Sequence, residues 1–546
     1  MKRTSLYVLL IIIISVIFSV DLFLYKGQPA SFDEATHITN ISVFHTGLSQ
    51  GQFPVTWADG FANYGMPIPL IAQQIPSYAG ALLTFVTHNP VTSYNLVVII
   101  SAILSSVFLF MFLKYHMDNE QALLATFLFS VAPYRIINIY IRGALPEFVS
   151  NIFLPLLLMG IYYVVAKKSA KGFLLTTLSI AGLALTHPFM LIVYAFIYVP
   201  YTIFLSMKER VSLKQIGMLV FSAMLGIGLS GYYILPLFGE IKYFYYGLSK
   251  THLVANQYLH LENYLNPNWY YYYNNDTFPR GHFLKIDLPE TLIILGGIIY
   301  LVYLIFTKKK SSQDVLLRTM VVASIFLIFF TFSVADPLYK SIKMLGNIQH
   351  PWRMLSGIMY LAPIMLAVLV KGKNRALILI IILFFVIIRF PQLYGKNYYQ
   401  LPQSEYYRTL ENLHGTILNT IWTSNTLDYP VKDHKGDIFR GDGKITSAQV
   451  QNGKRLYHVS AKSDLQMVDY TFYFPGWHAY VDGVKTDIQF QDPAYRGVIT
   501  YAVPKGDHDI RVVFEDTKIR MLGKMVTLIA AFILVSLSIY LNNKEL

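Results

Sequence analysis

Long apolar runs separated by short polar stretches dominate the hydropathy pattern of this chain. Runs near 5–25, 94–114, 121–141, 150–166, 173–187, 189–206, 215–238, 288–306, 316–334, 353–371, 375–391 and 525–541 stand out. Each approaches the roughly 20 apolar residues that a membrane span needs. The pattern predicts a polytopic α-helical integral membrane protein with about 12 transmembrane helices. The run at 68–87 is also apolar, but Gln73, Gln74 and Pro76 interrupt it, so it reads as a re-entrant or interfacial piece.

Three long polar stretches, 26–93, 239–287 and 392–520, punctuate the apolar runs. The last changes period. Gln466 to Phe474, Arg496 to Val503 and His508 to Phe514 are β-branched or aromatic segments separated by turns at Phe474-Pro475-Gly476-Trp477, Asp482-Gly483 and Lys505-Gly506-Asp507. Asp-Gly between such segments is a hairpin signal. The expected organisation is a transmembrane domain over 1–391, a β-sandwich-like domain over 392–520, and a final span with its tail over 521–546. The β-rich piece reads as a sugar-binding module or lid on one hand and as a structural cap on the other.

Charge orients this arrangement. Lys167/Lys168/Lys171, Lys208/Arg210/Lys214, Lys308/Lys309/Lys310/Arg318 and Lys371/Lys373/Arg375 all fall in alternate short loops, on the side of Lys2-Arg3. Basic short loops are cytoplasmic, so both termini are expected inside and the long polar stretches outside the plasma membrane. Only 14% of the 546 residues are charged, against about a quarter in soluble chains. The net +13 is then a preference for anionic membrane lipid. Its scatter over many loops argues against a nucleic-acid partner. The chain has no cysteine, which removes disulfides and thiolate chemistry. It also carries no Walker loop or H-E-x-x-H motif.

Candidate chemistry gathers at the outer ends of the spans. Ser31-Phe32-Asp33-Glu34 fits a capping box with Ser31 as N-cap. Glu34 is then explained as a cap, while Asp33 has no structural task. On such a helix Asp33, His37 and Asn40 share a polar stripe opposite Ile38 and Ile41, and the helix would lie flat at the interface. Asp33 and His37 are too few ligands to establish a metal. Arg135, Arg142 and Glu147 lie at or near the outer end of the third span. There an Arg142–Glu147 ion pair tying two helices competes with an arginine gripping a lipid phosphate. Arg353, in Gln349-His350-Pro351-Trp352-Arg353, is a second such arginine or a headgroup contact. His187, in Leu185-Thr186-His187-Pro188, is more often a packing residue than a catalyst. Trp269 to Tyr273 and Phe278 form an aromatic loop suited to the membrane interface or to sugar stacking.

Several of these pieces, in order, resemble a GT-C-type membrane glycosyltransferase-like family, the bacterial pyruvoyl-tetrahydropterin-synthase-related and YfhO-like membrane proteins. They are Asp33-Glu34-x-x-His37, Phe53-Pro54-Val55-Thr56-Trp57, Tyr64-Gly65-Met66-Pro67, Arg142-Gly143-Ala144-Leu145-Pro146-Glu147, Pro351-Trp352-Arg353 and Phe474-Pro475-Gly476-Trp477-His478-Ala479-Tyr480-Val481-Asp482-Gly483. The resemblance implies a GT-C fold, a polyprenyl-phosphate-linked sugar donor, and an acidic base or metal ligand in the first outer loop, which falls on Asp33. Mg or Mn is the divalent cation such a site would take. Two departures stand out: Phe32 precedes the aspartate where relatives often have Gly, and the acidic site itself has no D-x-D spacing. The resulting expectation is transfer of a sugar to an extracytoplasmic glycan, lipid or protein acceptor of the cell envelope. A transporter or flippase for a lipid-linked glycan, or a non-catalytic envelope assembly protein, is the alternative.

Overall fold

The structure, a computed structural model, describes residues 2–245, 257–265, 284–308, 313–370, 375–395, 397–402, 405, 419–423 and 429–542. Among these, seven helices are long and apolar enough to cross a membrane, or up to nine if each of two bent pairs is one span. The bent pairs are Leu213–Leu229 with Gly231–Tyr243, at 69°, and Asp314–Phe329 with Ser333–Ser341, at 84°. Thr4–Ile17, Ala170–Thr186 and Ala376–Arg389 are apolar but shorter. Every expected span is therefore helical, while the count of qualifying spans is smaller than twelve. The interrupted run at 68–87 folds as a short 3-10 turn, Ile68–Leu70, followed by the helix Gln74–Thr87.

Position in the bundle differs sharply between spans. Within an 18-residue apolar stretch of Asn119–Tyr140, 89% is buried, against 17% in that of Lys518–Ile539. The first segment carries Arg135 and leads directly to Arg142. The second packs on the bundle's edge, where a Cβ on Gly523 would lie 2.6 Å from the Gly231 carbonyl oxygen. Small residues let apolar helices approach this closely.

The β-rich region is a sandwich of two antiparallel sheets. In chain order the strands of the described residues are β1 (Gln28–Pro29) and β2 (Tyr398–Tyr399), which pair with each other outside the sandwich, then β3 (Gly436–Arg440), β4 (Gly443–Gln451), β5 (Lys454–Ala461), β6 (Leu465–Phe472), β7 (Trp477–Val481), β8 (Val484–Thr486), β9 (Val498–Val503) and β10 (Gly506–Phe514). One sheet runs β4-β5-β10-β7-β8 and the other β3-β6-β9. Val481 pairs with Val484 across Asp482-Gly483, both with positive φ, as a two-residue hairpin turn requires. The buried core between the sheets includes Val459, Met467, Trp477, Tyr501 and Val512, and it also takes in Trp57, Leu70 and Phe244 from outside the module.

The helix bearing the acidic motif departs from expectation in two ways. It begins at Glu34, with Asp33 at the N-cap position and no side-chain cap. The reason is the preceding backbone: Phe32 N–H donates to the Ile141 carbonyl at 3.0 Å and Asp33 N–H to the Arg142 carbonyl at 2.8 Å. Those bonds tie the backbone of residues 32 and 33 to the 141–142 segment, and the Ser31 hydroxyl donates to the Glu34 carboxylate instead of accepting from a backbone N–H. Glu34–Ser49 is also more enclosed than a surface helix. Ile38, Ile41 and Phe44 are fully enclosed. The helix Gln74–Thr87 closes one side, with Phe44 edge-on to Tyr78 at 4.7 Å. The β-sandwich closes another, where Val43 and Phe44 join Val468, Tyr470 and Phe472.

Candidate functional site

Two short helices meet head to tail at the centre of the site. Pro133–Tyr140 ends at Arg142, where Gly143 (φ 61°) turns the chain into Leu145–Ser150. Arg142 thus sits at a helix C-terminus and Glu147 in the first turn of the next helix, each at the end whose dipole favours its charge. The pair closes at 2.5 Å, with side chains only 7% and 1% exposed. Both readings of these residues have a place, since the ion pair ties the two helices and also fixes the guanidinium. Gly143 has little choice of residue type. A Cβ there would lie 2.1 Å from Ser31 Oγ and 2.8 Å from the Glu34 backbone nitrogen.

Buried polar groups surround this pair. Arg142 Nη1 also donates to Asn138 Oδ1 at 2.9 Å and to Tyr134 Oη at 3.0 Å. Tyr134, Asn138 and Arg142 are four residues apart, a spacing that marks one helix face and was readable in the sequence. Glu147 accepts from Tyr134 Oη at 2.7 Å and from the Ser356 hydroxyl. Ser356, 209 residues away, left no local signal. Arg353 Nε lies 4.0 Å from Glu147 Oε2, while its Nη1 donates to the Ile348 carbonyl and to Gln349 Oε1. Trp352 offers its ring to Arg142 at 4.3 Å and stacks on His350 at 4.7 Å.

Asp33 completes the arrangement. Its carboxylate is 3.9 Å from Arg142 Nη2, and its side chain is 42% exposed, so it is reachable from outside while facing a fixed cation. His37 stands one helical turn on, its N–H bonded to the Asp33 carbonyl. His187, between the helices Ala170–Thr186 and Met190–Glu209, is buried and close enough to feel Arg353, Glu147, Arg142 and His37. Burial, with the two guanidiniums adding and Glu147 opposing, pushes its pKa down to about 3. It is a neutral imidazole at ordinary pH. His350 is likewise depressed, to about 2, mainly by burial.

Asp33, His37, Arg142, Glu147, His187 and Arg353 are therefore brought together. The remaining sequence candidates are not. Glu34 keeps the returning half of the capping box: its buried carboxylate hydrogen-bonds the Ser31 backbone and also accepts from Ser31 Oγ and from Tyr399 Oη, each at 2.5 Å, while burial raises its pKa. It anchors the helix start to β2 instead of facing the site. Arg135 points into the bundle, bonded to the Ala102 carbonyl and to Ser105, because it begins the helix that Arg142 ends. Trp269, with Tyr273 and Phe278, lies outside the described residues. Among the described residues no three of His, Cys, Asp or Glu converge to hold a metal. With Glu34 engaged elsewhere, Asp33 and His37 alone do not fit an Mg or Mn site.

Comparison with known proteins adds the following. An uncharacterized protein of Lactococcus lactis subsp. cremoris (strain MG1363) is 26% identical over 235 residues, covering 42% of this chain and 38% of that protein. The match thus spans well under half the length of that relative. Two crystal structures of the Archaeoglobus fulgidus oligosaccharyltransferase are also similar. The apo form has 13% identity and a TM-score of 0.40, covering 78% of this chain and 62% of that one. The complex with Zn and sulfate has 13% identity and a TM-score of 0.41, covering 78% and 59%. At that level neither activity nor site residues carry over. A family model matches residues 74–393, more than half of the chain, and includes Arg142, Glu147, His187 and Arg353 but not Asp33 or His37. By that match the chain belongs to the family of membrane proteins with a 6-pyruvoyl-tetrahydropterin synthase related domain.

Proposed function

We propose that this protein is a GT-C-type membrane glycosyltransferase that moves a sugar from a polyprenyl-phosphate-linked donor to an acceptor hydroxyl outside the plasma membrane. The observation that carries the reading is the accessible Asp33 carboxylate facing a guanidinium locked from behind by buried groups. The acceptor oxygen attacks the anomeric carbon, the bond from that carbon to the phosphate oxygen breaks, and the acceptor proton passes to Asp33. The electron pair leaves with the lipid phosphate, whose new charge Arg142 and Arg353 stabilise.

The 3.9 Å Asp33–Arg142 spacing links these events. As Asp33 gains the proton it loses its hold on Arg142, and the positive field is released to the departing phosphate at the moment it is needed. His37 lies beside Asp33 to orient the acceptor. No step runs through a metal. Base catalysis of this kind contributes about 10²–10⁴-fold.

The test is transfer from a lipid-linked labelled sugar in proteoliposomes by wild type and Asp33→Asn. We expect a loss of at least about 100-fold with donor binding retained. Wild-type turnover by the variant would remove Asp33 from the mechanism. Movement of the lipid-linked sugar across the bilayer without a new glycosidic bond would establish the flippase alternative.

A further inference from the structure

A cavity of ≈ 200 Å³ lies where the 26–93 stretch meets the β-sandwich. The helix Glu34–Ser49 lines it with Val43 and Thr46, the turn at 58–60 with Asp59, and the end of β4 with Val450 and Gln451. None of these residues has a part in the reaction above.

Asn452 fixes the walls across this seam. Its N–H donates to Gln50 Oε1 at 2.6 Å, and its amide donates to Gln52 Oε1 at 2.9 Å and to the Trp57 carbonyl at 2.7 Å. Its Oδ1 accepts from the Asp59 N–H at 3.0 Å. The Asp59 side chain is held as firmly, because its Oδ1 accepts from Trp57 Nε1 at 2.8 Å and from Arg455 Nη2 at 2.6 Å. Arg455 also donates to the Gln451 carbonyl at 3.0 Å. Among the described residues, no hydrogen bond reaches Asp59 Oδ2, Thr46 Oγ1 or the Gln451 side-chain amide. Thr46 and Asp59 are half-buried, yet neither of these oxygens is sealed from water. Gln451 is exposed.

The lining selects its ligand by charge. Arg455 lies 2.6 Å from Asp59 and 3.8 Å from Asp469, so the one carboxylate in the lining is already paired. The lining has no Lys or Arg to hold a phosphate or an acidic group. Nor do three acidic or histidine ligands converge here, as a metal would need. A purely apolar ligand would strand the amide and hydroxyl groups. A neutral polyhydroxylated ring suits all of them: its hydroxyls bond the oxygens and the amide, and its C–H faces rest on Val43 and Val450.

We propose that this cavity binds part of a neutral glycan chain. Thr46 follows Asp33 by 13 positions on one helix, about 20 Å at 1.5 Å per residue, so the cavity takes a part of the chain remote from the reacting end. That this glycan is the acceptor rests on the transfer reading; its binding does not. Walls fixed in advance spare the ordering cost of binding.

The test is equilibrium titration of the full chain in lipid nanodiscs, with no lipid-linked donor present. The probes are linear oligosaccharides of glucose, galactose, mannose and N-acetylglucosamine, with oligogalacturonate as the acidic counterpart. Wild type is expected to bind at least one neutral series saturably and in preference to oligogalacturonate. Thr46→Val combined with Gln451→Ala should weaken that binding about tenfold, and Thr46→Trp, which fills the cavity, should abolish it. Asp33→Asn should bind as wild type does. No saturable neutral binding, tighter binding of oligogalacturonate, or unchanged affinity in the cavity variants overturns the site. Should the Thr46 variants not fold, Gln451→Ala alone decides: a loss of about threefold supports the site, and an unchanged value counts against it. Glycan binding by a protein that transfers no sugar would sink the transfer reading and leave this site standing.

Discussion

Replacing Glu147 by Gln removes one negative charge while keeping the side chain's size and one carbonyl oxygen. In the folded protein that carboxylate lies 2.5 Å from Arg142 Nη1 and 4.0 Å from Arg353 Nε, with 1% of its side chain exposed. The amide still accepts from Tyr134 or Ser356, so the loss falls on charge and not on shape. Breaking one side of a buried ion pair costs about 3–5 kcal/mol, because the surviving ion stays buried and uncompensated. Here two guanidiniums share the deficit, so we expect the upper part of that range. That is about a thousandfold in the folded-to-unfolded ratio. The assay is equilibrium unfolding in mixed micelles with increasing SDS, run as a double-mutant cycle with Arg142→Met. The double variant should be less damaged than the sum of the singles, with a coupling of about 2–3 kcal/mol. Recovery should be incomplete, since Arg353 remains. A Glu147→Gln protein within about 0.5 kcal/mol of wild type, or an additive cycle, would refute the claim that this carboxylate holds the site together.

Three further outcomes follow from the same geometry. Gly143→Ala should cost about 1–3 kcal/mol from its positive φ alone and should also lower transfer activity. The new methyl must displace Ser31 and the start of the Asp33 helix. Gly217→Ala, with no atom within 4 Å of the added Cβ, serves as the neutral control in the same unfolding and transfer assays. Trp57→Ala should cost about 3–5 kcal/mol, because its ring fills the sandwich core against Trp477 and Phe514 at 4.9 and 4.8 Å. Limited proteolysis should then cut the 26–93 stretch far faster, and unchanged cleavage would show that the stretch is not anchored there. Stability should fall as pH drops below about 6.5, the value of an unperturbed histidine. There the unfolded chain protonates His187, whereas the folded chain resists until about 3. At pH 5 this amounts to about 2 kcal/mol, measurable as a steeper decline in wild type than in His187→Gln; equal slopes would contradict it.

Local chemistry was readable wherever it had a short period. Apolar run length marked the helical segments, and the Asp482-Gly483 dipeptide marked the β7–β8 hairpin. The Arg142-to-Glu147 spacing marked a turn between two helices. The strands β3, β4 and β5 were not singled out, because β4 is polar and exposed along most of its length. Its pairing with β5, not any apolar alternation, makes it a strand.

Ser31 and Glu34 meet as the capping box suggested, but the sequence alone did not show that this carboxylate is buried and shared with Tyr399. That outcome depends on Tyr399, 365 residues away, and on backbone bonds to residues 141 and 142. Arg135 and Arg142 look equivalent along the chain, but the short helix between them sends one into the bundle and the other to its mouth.

By itself, then, the sequence determined the membrane class, the approximate bundle and the residue types available for chemistry, since these rest on hydropathy and on neighbours a few positions apart. Only the tertiary structure decided which charges meet. A buried ion's partners are chosen by packing across hundreds of residues, and no local period records that choice.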